Sequence, residues 1–315
     1  MSSGYRWRVR RVVVSVPLRT RFRGITVREA MLVEGDAGWG EFAPFLDYSG
    51  AELRPWWRAA VEAAEEGFPA PRRDRVPVNV TVPAVPAEAV AALVAESGGC
   101  RTAKVKVAEP GQTEADDRAR LEAVRDALGP SGALRVDANG AWDVPTAVDR
   151  IPRYAKAAGG LEYVEQPCPN VEDLASVRRR VDVPVAADES IRRADDPIQV
   201  ARREAADVVV LKVAPLGGVR ACLDLAERIG LPVVVSSAVD TAVGISAGLA
   251  LAAAVPDLPY ACGLATGSLL REDVVAAPQR PVHGCLTVGA VVPDEDRLRA
   301  LAASTERTAW WLRRA

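Results

Sequence analysis

From about Val76 onward the chain repeats one pattern, a short β-rich apolar run followed by an Ala- and Arg-rich stretch with helical spacing. The runs are Val78–Val82, Thr102–Val107, Leu134–Asn139, Leu161–Gln166, Val185–Glu189, Val208–Val213, Val233–Ser237 and Cys262–Thr266. Eight strands at this repeat length predict an α/β fold, a (β/α)8-type barrel. Asp207–Val213 and Pro232–Val235 are apolar on both faces, as expected of strands with helices outside and core within. The spacing predicts helices over Pro86–Glu96, Thr113–Leu128, Pro145–Ala158, Val171–Arg180 and Val219–Ile229. In Thr113–Leu128 the acidic Glu114, Asp116 and Asp117 stand near the start, where a helix N-terminus favours negative charge.

Residues 1–75 break this rhythm. Trp7–Leu18, Thr26–Gly35 and Gly38–Phe45 predict three antiparallel strands and Gly50–Glu66 a helix, together a separate α+β domain. The Pro- and Arg-rich Pro69–Arg75 reads as its linker to a barrel over residues 76–290. The tail, 291–315, ends in Trp310, Trp311 and Leu312, apolar residues expected to dock on the first domain.

Composition narrows the chemistry. Lys and Arg number 40 against 42 Asp and Glu, a net charge of −2 that offers no field for a nucleic acid or an anionic membrane. Basic Arg6 to Arg11 precede the apolar Val12 to Leu18 as in a signal peptide. Pro17, the following Arg19, Arg21 and Arg23, and the lack of a small-residue cleavage site favour a strand instead. The five cysteines are scattered without a C-x-x-C pair, so neither a disulfide framework nor a zinc site is expected and a cytoplasmic setting fits. His283 is the single histidine, so any metal should be held by carboxylates. No obligate protein partner is evident.

Polar residues intrude at the C-terminal ends of five strands, where barrel enzymes carry their reactive groups. Lys104 and Lys106 flank Val105, so strand alternation puts both ammonium groups on one face, facing the barrel interior if helices lie outside. Asp137, Glu165 and Asp188 each end a successive strand, one βα unit apart, and should converge on one rim. Three bare carboxylates repel in a desolvated site unless a cation joins them; a hard ion with oxygen ligands, Mg²⁺, with Mn²⁺ as a substitute, fits. Lys212 ends the sixth strand in an otherwise apolar run, across the barrel from Lys106. A carboxylate substrate between the two lysines could lose its α-proton to one of them. Gly217-Gly218 lacks a phosphate-loop context and reads as a turn. Ser236-Ser237, without a histidine partner, suits substrate hydrogen bonding or helix capping.

At these positions the sequence resembles the enolase superfamily, and within it the muconate-lactonizing branch. Lys104-Val105-Lys106 and Lys212 match its lysine hallmark, and Gly38-Trp39-Gly40-Glu41 its capping-domain signature. Asp137-Ala138-Asn139, Glu165-Gln166-Pro167 and Ala187-Asp188-Glu189-Ser190 resemble its three metal-ligand motifs. The resemblance covers nearly the whole chain. It implies a modified TIM barrel, (β/α)7β, with an α+β N-terminal capping domain completed by the C-terminal tail. It implies Lys106 and Lys212 as catalytic residues and Asp137, Glu165 and Asp188 as Mg²⁺ ligands. Lys104, Arg135, Asn139, Ser236, Ser237, Gly263 and Leu264 would lie around a small carboxylate substrate. Relatives with this set racemise N-succinylamino acids or epimerise dipeptides, so the set points to proton abstraction rather than to one substrate. Dipeptide epimerases carry acidic residues after the eighth strand where this chain has Gly263-Leu264-Ala265-Thr266, which disfavours a cationic substrate. A noncatalytic barrel that binds a carboxylate through Arg135 and the lysines would be favoured had Lys106 or Lys212 been replaced; both are present.

Overall fold

The computed structural model describes residues 10–22 and 24–315. Trp7 to Val9 of the first predicted strand, and Arg23, lie outside the described residues. Strands β1 (Arg10–Phe22), β2 (Ile25–Gly35) and β3 (Gly38–Phe42) form an antiparallel sheet in the order β1-β2-β3. Both faces of this sheet are covered. Val14, Val16 and Leu18 of β1 pack with Leu32, Val239, Leu298 and Leu301, while Val13, Met31 and Phe42 pack on the other face with Trp56 and Trp311. The predicted helix Gly50–Glu66 divides into a 3-10 turn, α1 (Leu53–Val61) and a π turn over Glu62–Glu66 that stops at Gly67.

After β4 (Arg75–Pro77), seven parallel strands follow in sequence order. They are β5 (Val80–Val82), β6 (Thr102–Lys106), β7 (Ala133–Asp137), β8 (Tyr163–Glu165), β9 (Val185–Ala187), β10 (Val208–Lys212) and β11 (Val233–Ser236). The connecting helices are α2 (Val90–Ala95), α3 (Glu114–Leu128), α4 (Val144–Ala157), α5 (Val171–Arg178), α6 (Glu189–Arg192), α7 (Gln199–Arg202), α8 (Val213–Leu216), α9 (Val219–Ile229) and α10 (Ala242–Ala254). A large apolar cluster fills the space between sheet and helices, and Tyr163, Ala186, Val208, Val210 and Val234 form a separate interior cluster.

The eighth predicted strand, Cys262–Thr266, is corrected by the structure. Only Cys262 and Gly263 pair, through bridges to Val78 and Ser236, and a 3-10 helix starts at Ala265. These bridges still join the two edges of the seven-stranded sheet, so the barrel closes with the chain barely extended. Gly263 permits the approach: a Cβ there would lie 2.5 Å from Ser236 Oγ. Helix α10 is buried on every side between capping sheet and barrel, as its uniformly apolar sequence requires.

Strands β6 to β11 each end one or two residues sooner than their apolar runs predict, and beyond three of them the backbone bends sharply. Ala108, Asn139 and Gln166, just beyond β6, β7 and β8, adopt φ of 59°, 47° and 40°, a left-handed bend that no strand continues through. Lys106, Asp137 and Glu165 are therefore the last extended residues of their strands, in one register row across the sheet.

At the far end β12 (Cys285–Thr287) pairs antiparallel with β4, and the chain finishes with α11 (Glu295–Ala300) and α12 (Thr305–Arg314). Trp311 of α12 is buried, meets Phe42 edge-on at 5.8 Å and donates its indole N–H to Glu29 at 3.1 Å. Trp311→Ala is expected to cost about 3–5 kcal/mol in denaturant unfolding, the usual effect of emptying a site this large. A loss below about 1 kcal/mol would show that the tail contributes little to the capping sheet.

Candidate active site

The row Lys106–Asp137–Glu165 and, further round the sheet, Asp188 and Lys212 point into the barrel mouth, all of them buried. Charges alternate there. Lys106 Nζ donates to Asp137 Oδ2 at 2.6 Å and to Asn139 Oδ1 at 2.6 Å. Lys104 Nζ donates to Glu165 Oε1 at 2.5 Å and stands 2.9 Å from Asp137 Oδ2. Lys212 Nζ donates to Asp188 Oδ2 at 2.5 Å, and the guanidinium of Arg192 holds Asp188 Oδ1 at 3.0 Å.

Burial raises a carboxyl pKa and neighbouring cations lower it, and the balance differs at each position. Against burial, Lys104 and Lys106 hold Asp137 well below the usual carboxylate range, and Arg192 and Lys212 do the same for Asp188. Glu165 goes the other way: burial, then the charge of Asp137, pushes it up to about 7. Its Oε2 is buried with no hydrogen-bond partner. Burial lowers Lys212 below the ordinary lysine value, whereas Asp137 and Glu165 overcome burial at Lys104 and raise it well above.

One cleft collects most of the residues expected from the sequence. Lys104, Lys106, Asn139, Lys212, Ser236, Ser237 and Gly263 all line it. Two expected substrate residues lie elsewhere. Arg135 sits one interior row below Asp137, fully buried, donating to Glu162 at 2.5 Å and to the Ala261 carbonyl at 2.7 Å and stacking on Tyr163. It braces the barrel floor. Leu264 turns outward against α10, where a Cβ on Gly248 would meet its Cδ2 at 2.5 Å.

The sequence left other residues unmarked. Phe22 and Phe45 from the capping domain, with Thr81, Val239 and Thr266, complete the cleft, and Phe22 lies 5.6 Å from Lys106 Nζ. No local motif marks these aromatics, because only tertiary packing brings them here. Gln166 accepts the backbone N–H of Asp188 at 2.9 Å and of Ser190 at 3.1 Å. Arg192 could have been noticed from its i+4 spacing after Asp188; it also bonds the Tyr48 hydroxyl of the capping domain.

The capping signature has a structural purpose. Gly40 lets β3 pass α1, since a Cβ there would collide with the Ala60 carbonyl oxygen. Glu41 then reaches the start of α10 and accepts the backbone N–H groups of Thr241 at 3.2 Å and Gly244 at 3.0 Å, and the Thr241 hydroxyl at 2.5 Å. It thereby fastens the segment after Ser236 and Ser237 to the cap.

The family comparisons agree with this arrangement. Residues 13–64 match the enolase N-terminal domain-like family and residues 86–295 the enolase C-terminal domain-like family. The chain belongs to the enolase superfamily, as a capped barrel with lysines and carboxylates at its mouth. Within it, the sequence falls with the o-succinylbenzoate synthases. The Thermobifida fusca (strain YX) protein of that name is 64% identical over 301 residues, 96% of this chain and 93% of its own. The Mycolicibacterium smegmatis protein is 57% identical over 302 residues, 96% and 92% of the two chains. Among solved structures, muconate lactonizing enzyme from Pseudomonas fluorescens superposes with a TM-score of 0.78 at 22% identity, covering 94% of this chain and 98% of that one. The L-Ala-D/L-Glu epimerase from Bacillus subtilis gives 0.77 at 24%, covering 91% and 97%. At these identities the structures speak for the fold alone.

Burial, then the charge of Asp240, pushes Glu41 up to about 8 from an ordinary value of 4.5. Between those pH values the folded chain keeps a proton that the unfolded chain releases, so this group's contribution to stability falls as pH rises. Glu41→Gln is expected to flatten the decline in unfolding free energy over that window by up to about 1.4 kcal/mol per pH unit, one proton's effect. Identical pH slopes in urea titrations of both proteins would contradict the assignment.

Proposed function

We propose that this chain catalyses the Mg²⁺-dependent syn-dehydration of 2-succinyl-6-hydroxycyclohexa-2,4-diene-1-carboxylate to o-succinylbenzoate, as a cytoplasmic carbon–oxygen lyase of menaquinone biosynthesis. The observation that carries the chemistry is the placement of Lys106 and Lys212 in one cleft, on β6 and β10, with β7, β8 and β9 between them. The choice of substrate is supported by the identity of 64% to a protein named for that product.

Among the described residues, no three acidic, histidine or cysteine side chains are arranged to ligate a metal as they stand. Lysine ammonium groups occupy the carboxylate oxygens instead. The residues nevertheless fit a cation. Glu165 Oε2 has no donor, the Glu165 carboxyl is pushed up by burial and a like charge, and every available donor atom is a hard oxygen. Asp137, Glu165 and Asp188 would hold Mg²⁺ or Mn²⁺. When bound, the ion supplies positive charge beside the substrate carboxylate, where negative charge builds as the α-proton leaves.

The chain's own residues perform the proton transfers. Lys106 Nζ takes the α-proton, and the electron pair of the broken C–H bond spreads onto the substrate carboxylate. The C–O bond then breaks, its electron pair leaving with the hydroxyl oxygen, and Lys106 returns the proton to that oxygen on the same face, so water leaves and the ring becomes aromatic. Lys212 presents an ammonium to the developing charge from the opposite face. Phe22 and Phe45 cover the cleft and limit the water that would compete for these charges.

Lys106→Ala is expected to lower turnover by at least roughly 10²–10⁴-fold while leaving the circular dichroism spectrum unchanged. Excess chelator should abolish the activity of the unsubstituted protein. Turnover near the starting level in either assay would overturn this mechanism.

A further inference from the structure

We propose that Asp117, Arg120 and Tyr154 form a positioning node that sets the height and direction of Lys106; the proposal rests on Lys106 being the base. The chain leaves β6 immediately after Lys106, and two residues on, Ala108 takes a φ of 59°, a region that non-glycine residues seldom enter. Backbone in such a conformation persists only when its surroundings hold it there.

Here the hold comes from the first turns of α3. Asp117 Oδ2 accepts the Ala108 N–H at 2.9 Å, and Arg120 Nη1 donates to the Lys106 carbonyl at 3.1 Å, so the polar groups on both sides of the bend are tied to one ion pair. The pair is closed by Arg120 Nη1 to Asp117 Oδ1 at 2.9 Å and braced from α4 by the Tyr154 hydroxyl, which donates to Asp117 Oδ2 at 2.8 Å. Arg120 Nε also holds the Val85 carbonyl at 2.7 Å, and Nη2 bonds the side chain of Gln112. The loops after β5 and β6, which flank an opening beside Lys106, are thereby joined.

Helix capping does not account for the node. Thr113 and Asp116 already form a capping box at the start of α3, without Asp117. Nor does simple stability: a fully buried ion pair carries a desolvation cost that well-packed apolar residues avoid. What the pair does supply is a fixed backbone on either side of the residue that takes the proton, and a displacement of about 1 Å at a reacting group can cost ~10²-fold in rate.

The test is steady-state kinetics of Asp117→Asn, Arg120→Lys and Tyr154→Phe with Mg²⁺ present, using substrate carrying hydrogen or deuterium at the α-carbon. Asp117→Asn and Arg120→Lys are expected to lose ~10²-fold in kcat, with KM within about threefold and unchanged Mg²⁺ dependence. Tyr154→Phe, which removes one hydroxyl, should lose less than either. The deuterium isotope effect on kcat should rise in each variant, because proton transfer alone is slowed. If Asp117→Asn or Arg120→Lys does not fold, Tyr154→Phe decides. Wild-type kcat and isotope effect in the folded variants, with Lys106→Ala inactive, would overturn the node. An active Lys106→Ala would instead overturn the assignment of the base. A fall in kcat that only tracks the folded fraction, with no change in isotope effect, would also overturn the node.

Discussion

Glu165 poses the charge problem on which the rest of the structure depends. Its carboxyl is almost fully buried, lies between two other carboxylates and leaves one oxygen without a donor. Lys104 satisfies the second oxygen, Lys106 takes Asp137, and Lys212 with Arg192 takes Asp188. Removing one partner from a buried ion pair typically costs about 3–5 kcal/mol, so an array of this kind holds only on a scaffold that keeps every charge in place. The same array suits catalysis. Lys106 and Lys212 stand on β6 and β10 with β7, β8 and β9 between them, and a cation at the carboxylates would release both lysines from their counter-ions.

Strand geometry provides that scaffold. Parallel register aligns Lys106, Asp137 and Glu165 in one row, and the left-handed residues beyond β6, β7 and β8 end each strand where its charged side chain stands. Several polar contacts fasten the cap to this rim, the bond from Arg28 to the Val239 carbonyl at 3.1 Å among them. Glu41 holds the start of α10, and Tyr48 meets Arg192 behind Asp188. The sheet that carries Phe22 over the cleft is thus tied to both sides of the site.

The parts that were legible in the sequence follow from short-range periodicity. Alternation around Val105 put Lys104 and Lys106 on one face, and spacing by βα units aligned the three carboxylates and Lys212; the structure brings them to one rim. Features decided by tertiary contact were not legible. Helix α10 has no polar face and hence no helical period, and it is buried all round. Cys262–Thr266 has the composition of a strand but is diverted after Gly263, where Leu264 turns onto α10. Arg135 shares the alternation of the site residues, yet one row lower its length carries the guanidinium to Glu162 and the barrel floor. Phe22 and Phe45 come from a separate part of the chain, and only docking of the cap places them in the cleft that Lys106 lines.

The central claim is that three buried carboxylates, balanced by lysines, form a site for one divalent cation. Mn²⁺ titration of the folded protein, followed by calorimetry and by the electron paramagnetic resonance of the free ion, tests it directly. The account predicts one ion bound per chain and loss of that binding in Glu165→Gln at equal folded concentration. No bound ion in the unsubstituted protein, or equal affinity in the variant, would contradict it.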